Sequence, residues 1–562
     1  MSNYRRPHIC QCLSRLSSVK SDTIVTVYGH RRLTGREFVA GVLRLAGGLI
    51  RLGLRNGDVV AIAAVNSDCY LEWLLAVAFI GGIAAPLNYR WSLKEAQTGM
   101  LMVEPVLLVT DENCSSWIRS VDAPSLKWRV LMDSASKSFA NDRDILTSEM
   151  LKQHYMLLPS PSMYRWAPGE AVVICFTSGT TGKPKGVTIS HLAIITQSLA
   201  KVAMVGYSED DVYLHTAPLV HIGGLSSAMA MLMVGACHVL LPKFDAETAL
   251  KATGQHLVTC FITVPTMMSD LVSMNRAKGC RIQKASVRKI LNGGGSLSNE
   301  LLIDAIKIFP KAKILSAYGM TETCSSLTFM TLYDPKPESN SSILRAEKFI
   351  SIHRPQGICV GKPAPHVELK IHLENSSSTG KILTRGPHVM LGYWGKVQVN
   401  IAGSESSNGA WLETGDIGEI DEFGNLWLIG RSNGRIKSGG ENVYPEEVEA
   451  VLLQHPGVLS AVVTGVAETR LGEMVVACVC LKEKWQWSEE NLDGSDTSGE
   501  DLLLSSEILR RYCRTQNLTG FKIPKRFFRW KKHFPVTSTG KVRRDEVRRE
   551  VASLVQTLNS SL

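Results

Sequence analysis

The residues best suited to chemistry form one run, Thr177-Ser-Gly-Thr-Thr-Gly-Lys-Pro-Lys-Gly186, with four hydroxyls, three glycines and two lysines. Small residues let backbone N–H groups close on an anion, and hydroxyls and lysines add donors, so the run reads as a phosphate cradle. It is not a nucleotide loop of the Walker type. Gly179 and Gly182 stand too close together, and Lys183 precedes Pro184 where that loop requires Ser or Thr. Further short runs set a charged group beside glycine or a hydroxyl: Tyr318-Gly-Met-Thr-Glu322, Thr414-Gly-Asp416, Gly430-Arg431 and Thr537-Ser-Thr-Gly-Lys541.

These runs need a scaffold. Short apolar strands at 59–62, 106–109, 259–263 and 314–316 alternate with helical patterns at 36–52 and 299–308. That alternation predicts an α/β core with a largely parallel sheet. The cradle follows an apolar strand at 171–176 and leads into a second at 186–190. After Gly430 the pattern restarts, with a helix at 445–454, strands at 458–466 and 475–481, and a helix near 505–516. This predicts a large unit over 21–430 and a smaller α+β unit over 431–562, hinged near 430–440. Polar stretches at 334–355, 396–410 and 488–501 read as loops.

Composition narrows the function classes. The chain has 562 residues, 44% hydrophobic and 20% charged, too apolar for disorder and long enough to bury a large core. Its net charge of +10 is concentrated, with eleven basic residues against three acids between 521 and 550. A small anionic ligand near the C-terminus fits this better than a nucleic-acid coat. Thirteen scattered cysteines with no Cys-x-x-Cys pair predict reduced thiols and no cysteine-zinc site. The apolar run 73–87 is short and broken by Gly81, Gly82 and Pro86, and the run 222–241 carries glycines, His238 and two serines and reads as a buried helix followed by a short strand at 237–241, so neither is expected to span a membrane.

The first twenty residues carry Arg5, Arg6, Arg15 and Lys20, four serines and no acid, which resembles an organellar transit peptide. The terminal Ser560-Ser561-Leu562 resembles a peroxisomal address with Ser in place of the basic residue. A stromal or peroxisomal interior is the expectation.

The run 177–186 resembles the phosphate signature of the adenylate-forming superfamily of acyl-CoA ligases, firefly luciferase and peptide-synthetase adenylation domains. The other runs follow in that family's order: Tyr318–Thr323, Trp411–Asp416, Gly430-Arg431 with Ile436–Gly440, and Pro535–Lys541. The resemblance implies a large N-terminal α/β domain with subdomains and a small mobile C-terminal α+β domain. It implies that a carboxylate attacks the α-phosphorus of ATP, giving an acyl-adenylate and pyrophosphate, and that the thiol of CoA then displaces AMP. Thr177, Ser178, Gly179, Thr180, Thr181, Gly182 and Lys185 would hold phosphate, and Glu322 Mg²⁺. Gly293, Gly294 and Gly295 would form a flat wall for adenine, with Tyr318 stacked on it and Gly319, Met320 and Thr321 beside it. Asp416 would take the ribose hydroxyls, Arg431 would support ribose and phosphate, and Lys541 would stabilise the adenylation transition state. In this family the small domain then rotates, withdrawing that lysine and bringing the Gly439-Gly440 face to the thiol. Asn433 departs from the Asp or Lys of many relatives at the pivot. Lys243 resembles a CoA-phosphate contact.

His221, in Pro218-Leu-Val-His-Ile-Gly-Gly224, matches the family's gate beside the substrate carboxylate. A pocket walled by His221, Gly223, Gly224, Ser226, Ser227, Thr263, Gly293 to Gly295 and Ser325 suits a compact, polar acid better than a long acyl chain. The runs 218–227, 292–296 and 438–445 together resemble the branch that activates 2-succinylbenzoate, with Ser226 and Ser227 as candidates for its second carboxylate. A ligase for another small aromatic or medium-chain acid is the alternative. A carrier-loading enzyme is disfavoured because only about twenty residues follow Lys541, and a non-catalytic nucleotide-binding module because Glu322, Asp416, Arg431 and Lys541 are all present.

Overall fold

The computed structural model describes residues 6–132, 144–153, 159–178, 184–278, 286–335, 353–354, 357–373, 378–395, 411–431, 434, 436–438, 441–468, 471–488, 502–516, 518, 520–537 and 541–560. By contacts the chain forms two units, one of residues 1–347, 361–369 and 384–412, the other of 348–360, 370–383 and 413–562. The strands within 413–430 pair with one another and group by contacts with the C-terminal part.

The large unit contains two sheets. In one, strands Val59–Ala63, Ile83–Pro86, Leu107–Thr110, Trp128–Leu131 and Ile145–Thr147 run parallel and are joined by β1 (Ala171–Ser178). Antiparallel β2 (Pro184–Ser190) extends it. In the other, Ile24–Tyr28, Val212–His215, Cys237–Leu240, Cys260–Thr263, β3 (Lys289–Asn292) and β4 (Lys313–Met320) are parallel, and β5 (Ser325–Tyr333) adds antiparallel to β4. Parallel strands are covered on both faces, which accounts for their nearly unbroken apolar runs. The apolar stretches at 73–87 and 222–241 each become a buried helix and strand: Asp68–Phe79 with Ile83–Pro86, and Ile222–Val234 with Cys237–Leu240. Among the described residues no helix is long and apolar enough to cross a membrane.

The described part of residues 1–20 packs on the large unit. Gln11–Ser18 is a helix whose Cys12, Leu13 and Leu16 are buried, and a Cβ on Gly35 would collide with the carbonyl of Leu16. His8 stacks on Tyr164 and His191, and His191 Nδ1 accepts the backbone N–H of Ile9 at 3.2 Å.

A second buried imidazole pair joins His215 Nε2 to His238 Nδ1 at 2.9 Å. Burial lowers the pKa of His8 to about 4, His191 to about 2 and His238 to about 3, and holds His215 well below its ordinary value. Unfolded imidazoles take up protons near pH 6.5 and these do not, so the unfolded chain binds more protons as the pH falls below that point. Stability is therefore full above about pH 6.5 and drops by roughly 1.4 kcal/mol per pH unit for each such imidazole as acid is added. Thermal unfolding should show a steep fall in Tm from pH 7 to pH 5. A flat profile would contradict the buried neutral assignment.

The second unit is an α+β sheet. Glu441–Val443, Ile436–Ser438, Gly472–Leu481 and Val458–Glu468 lie side by side antiparallel, with Arg526–Arg529 parallel on Gly472–Leu481. Val448, Val451, Leu452, Leu509 and Cys513 pack in one core, and Val462, Val476, Trp530, Val547 and Val551 in another. The helices Pro445–Leu452 and Ser506–Thr515 thus serve one core and Arg544–Ser560 the other.

Candidate active site

The cradle hangs between β1 and β2, whose register pairs Thr177 with Lys185 and Ser178 with Pro184. Gly179, Thr180, Thr181 and Gly182 lie outside the described residues. The short strand β6 (Gly392–Tyr393) adds to β2, pairing Tyr393 with Val187. Around it Trp394 N donates to the Gly186 carbonyl at 2.7 Å and Leu391 N to that of Thr188 at 2.9 Å.

The same segment holds Glu322. Met390 N donates to its carbonyl at 2.9 Å, and the Tyr393 phenol donates to its carboxylate at 2.9 Å. The Lys185 ammonium stands 5.1 Å from the centre of the Tyr393 ring. Burial and then the Glu322 carboxylate push the phenol pKa up, so Tyr393 remains a donor at neutral pH. One side chain thus links the strand leaving the cradle to the candidate metal ligand.

Glu322 is buried, not a solvated surface acid, and sits in the 3₁₀ turn Thr321–Thr323 between β4 and β5. The turn is tight. A Cβ on Gly319 would collide with the Ser325 carbonyl, and Cys324 and Ser325 hold φ of 52° and 110°, in the left-handed region that non-glycine residues avoid. Such residues persist where neighbours over-determine them. Here the Gln197 amide, from α1 (His191–Lys201), donates to the carbonyls of Thr323 at 3.1 Å and Ser326 at 2.7 Å. The Thr323 hydroxyl accepts from Met320 N at 3.2 Å. Among the described residues no group of three His, Cys, Asp or Glu side chains could hold a metal alone. A single rigid carboxylate fits Mg²⁺, which takes its remaining ligands from phosphate and water.

Tyr318 and Met320 lie on β4, and Asn292 of the adjacent β3 pairs with Ser316. Gly293 to Gly295 follow β3, with Gly294 at φ 71° and the Asn292 amide donating to the Gly295 carbonyl at 2.7 Å. A Cβ on Gly293 would meet nothing nearer than the Ala317 carbonyl at 4.0 Å, so Gly293 borders open space beside the residue preceding Tyr318, whereas Cβ atoms on Gly294 and Gly295 would meet Val264 at 3.4 Å and Pro265 at 3.2 Å.

His221 immediately precedes α2 (Ile222–Val234). The Asn66 amide braces the loop before it, donating to the Ala217 carbonyl at 3.1 Å and accepting from Leu219 N at 2.7 Å. Gly224 is obligatory because a Cβ would strike the Pro218 carbonyl, whereas at Gly223 the nearest atom would be Ile262 Cδ1 at 3.9 Å. Ser226 and Ser227 require a correction. Both are fully buried; they donate to the carbonyls of Ile222 and Gly223 and accept from Lys201 Nζ at 2.6 and 3.0 Å. Neither hydroxyl is presented to a ligand, because α2 turns that face into the core. Thr263 is also buried, its hydroxyl donating to the Val264 carbonyl. Lys243 is exposed, its ammonium 5.6 Å from the Tyr89 ring centre.

In the second unit Asp416 and Arg431 face each other across β7 (Leu412–Ile420) and β8 (Leu426–Arg431), with Arg431 Nε 3.2 Å from Asp416 Oδ1. Gly415, within this strand, has φ of 77°. The Thr414 hydroxyl accepts Asp416 N at 3.1 Å and donates to the Ile382 carbonyl at 2.9 Å, which fixes the kink. Lys541 is exposed beside the bridge Val536↔Val542, with its N–H donating to Thr537 Oγ1 at 3.2 Å and its carbonyl accepting Thr537 N at 2.7 Å. Asn433, Gly439 and Gly440 lie outside the described residues.

Tyr393, Gln197 and Asn66 escape a sequence reading because each acts on a partner 71 or more positions away. Tyr393→Phe keeps the ring and removes only the phenol. A hydrogen bond to a charged group is worth about 1.5–3 kcal/mol, so the Mg²⁺ concentration for half-maximal pyrophosphate release should rise roughly tenfold at unchanged Tm. An unchanged Mg²⁺ dependence would remove Tyr393 from the site.

The family described as AMP-binding enzyme matches residues 14–394, and that described as AMP-binding enzyme C-terminal domain matches 447–541. The chain is 69% identical to the Arabidopsis thaliana 2-succinylbenzoate–CoA ligase, chloroplastic/peroxisomal, over the whole of both chains. It is similar to the o-succinylbenzoate CoA synthetase of Bacillus subtilis solved with its acyl-adenylate intermediate, at TM-score 0.73 and 26% identity, over 97% of this chain and 98% of that one. The same synthetase solved with ATP and magnesium ion gives a TM-score of 0.72 and 27% identity, over 96% and 99%. With both parts of the family matched and the phosphate, carboxylate and lysine runs in order, the chain belongs to the AMP-binding, adenylate-forming enzyme family.

Proposed function

We propose that this protein is an AMP-forming acid–thiol ligase that activates 2-succinylbenzoate with ATP and transfers the acyl group to CoA, a step toward phylloquinone. The observation that carries the reading is the 69% identity, end to end, with the plant ligase of that name. The geometry supports it. Lys185 and the hydroxyls at the ends of the cradle attract the triphosphate, and Tyr393 and Gln197 fix the Glu322 carboxylate. A Mg²⁺ ion held by Glu322 would neutralise phosphate charge when bound. Asp416, held by Thr414 and Arg431, accepts from the ribose hydroxyls, and the Gly293–Gly295 ledge admits adenine.

The substrate carboxylate, beside His221, attacks the α-phosphorus, and the bond to pyrophosphate breaks as Lys541 stabilises the charge that develops. In the second step the CoA thiol attacks the acyl carbon, losing its proton, and AMP departs. Lys243 and the Gly439-Gly440 run are assigned to CoA.

Chloroplast and peroxisome, the compartments in the Arabidopsis relative's name, are the inferred locations.

The test supplies ATP, Mg²⁺, CoA and a panel of acids and detects thioester by mass. The expected result is 2-succinylbenzoyl-CoA as the dominant product. Thioester from another acid with none from 2-succinylbenzoate would overturn the substrate; no pyrophosphate with any acid would overturn the reaction.

A further inference from the structure

Lys201 ends α1 and is fully buried, yet among the described residues no carboxylate pairs with it. Its ammonium donates to the Ser226 hydroxyl at 2.6 Å, the Ser227 hydroxyl at 3.0 Å and the Gly223 carbonyl at 3.4 Å, all on the first turns of α2. Burial draws its pKa down to about 7. The location makes the charge more costly still. The positive end of a helix dipole is at its N-terminus, so a cation beside the first turn of α2 is opposed by the helix it contacts. Isolated buried charge is destabilising, and an apolar side chain of similar volume would be tolerated as well or better. The same turn borders open space, since Gly223 has nothing within 3.9 Å of its Cβ position. A positive potential is therefore concentrated beneath the wall assigned to the acid.

We propose that Lys201 is a specificity-determining residue, whose buried charge, acting through Ser226 and Ser227 and the first turn of α2, selects an acid that carries a second carboxylate. This rests on the 2-succinylbenzoate reading and deepens it: the substrate supplies the counter-charge that the protein omits. Lys201 acts at one remove and does not touch the acid, so it is a positioning residue, not a catalytic one. Ser226 and Ser227 keep their place in recognition, as relays and not as ligands.

The test compares kcat/KM for 2-succinylbenzoate with that for 4-oxo-4-phenylbutanoate, the same skeleton without the ring carboxylate, in wild type, Lys201→Met and Lys201→Gln. Met removes the charge at similar volume; Gln removes it and keeps a donor for the serines, whose own donor bonds to Ile222 and Gly223 remain in both variants. The expected result is that the preference for the diacid falls at least about tenfold in both variants, while the ligand-free proteins unfold no lower than wild type. An equal loss on both acids, or a Gln variant that keeps the wild-type preference, would overturn the proposal and leave Lys201 a structural donor. Gln carries the test if the Met variant does not fold. Failure of wild type to use 2-succinylbenzoate at all would instead defeat the substrate reading, whatever the variants do.

Discussion

Lys541→Ala is expected to lower the rate of adenylate formation by roughly 100- to 1,000-fold while thiolysis of preformed acyl-adenylate proceeds near the wild-type rate. The prediction follows from how the residue is mounted. Its backbone is closed on Thr537 in both directions, and Arg543 N donates to the Pro535 carbonyl at 2.8 Å. Three residues on, the half-buried Arg544 guanidinium is anchored to Glu449, to Glu446 at 3.0 Å and to the Val463 carbonyl at 3.0 Å. The alanine variant therefore loses a charged side chain from an exposed position and keeps the backbone closures on Thr537 and the Arg544 contacts. The two half-reactions are read separately, as pyrophosphate released from ATP and acid, and as AMP released from isolated acyl-adenylate and CoA. Equal losses in both would contradict the role.

The second large effect belongs to Asp416. A carboxylate accepting two ribose hydroxyls contributes about 1.5–3 kcal/mol for each, so Asp416→Ala should reduce kcat/KM for ATP by roughly 100-fold or more. Asp416→Asn should fall between the two, since one acceptor remains. The control is 2′,3′-dideoxy-ATP, which offers no hydroxyl: wild type and the alanine variant should use it equally poorly. If the variant loses as much on the dideoxy nucleotide, Asp416 supports the strand and not the ribose. The variant also leaves Arg431, whose side chain is 62% exposed, without the carboxylate facing it across the sheet.

The candidate site was legible in the sequence where its chemistry is packed into consecutive residues. The cradle, the Tyr318–Glu322 run and Lys541 each show themselves within ten positions, and the helix Asn299–Ile308 falls where its apolar period places it. What joins these parts is not local. Asp416 and Arg431 are 15 residues apart and face each other only because β7 and β8 pair in one register. Glu322 and Tyr393 meet because β6 adds to β2, a pairing of two residues that no periodicity announces. Lys201 stands at a helix end, where a cation suits the dipole and nothing in the local sequence marks it out. Its burial depends on α2 arriving from twenty residues downstream. The second unit is likewise assembled non-locally, from three separate stretches of chain.

The packing of His8 and Ile9 has a bearing on how the protein is made. Their partners, the Arg165 carbonyl and the His191 ring, lie 157 and 182 positions further along the chain. During synthesis at roughly 5–20 residues per second, residues 8 and 9 wait on the order of ten seconds or more after they are made before those partners exist. They are made early and secured late. Through that interval the stretch around them stands uncovered, and completion of the large unit then closes over it.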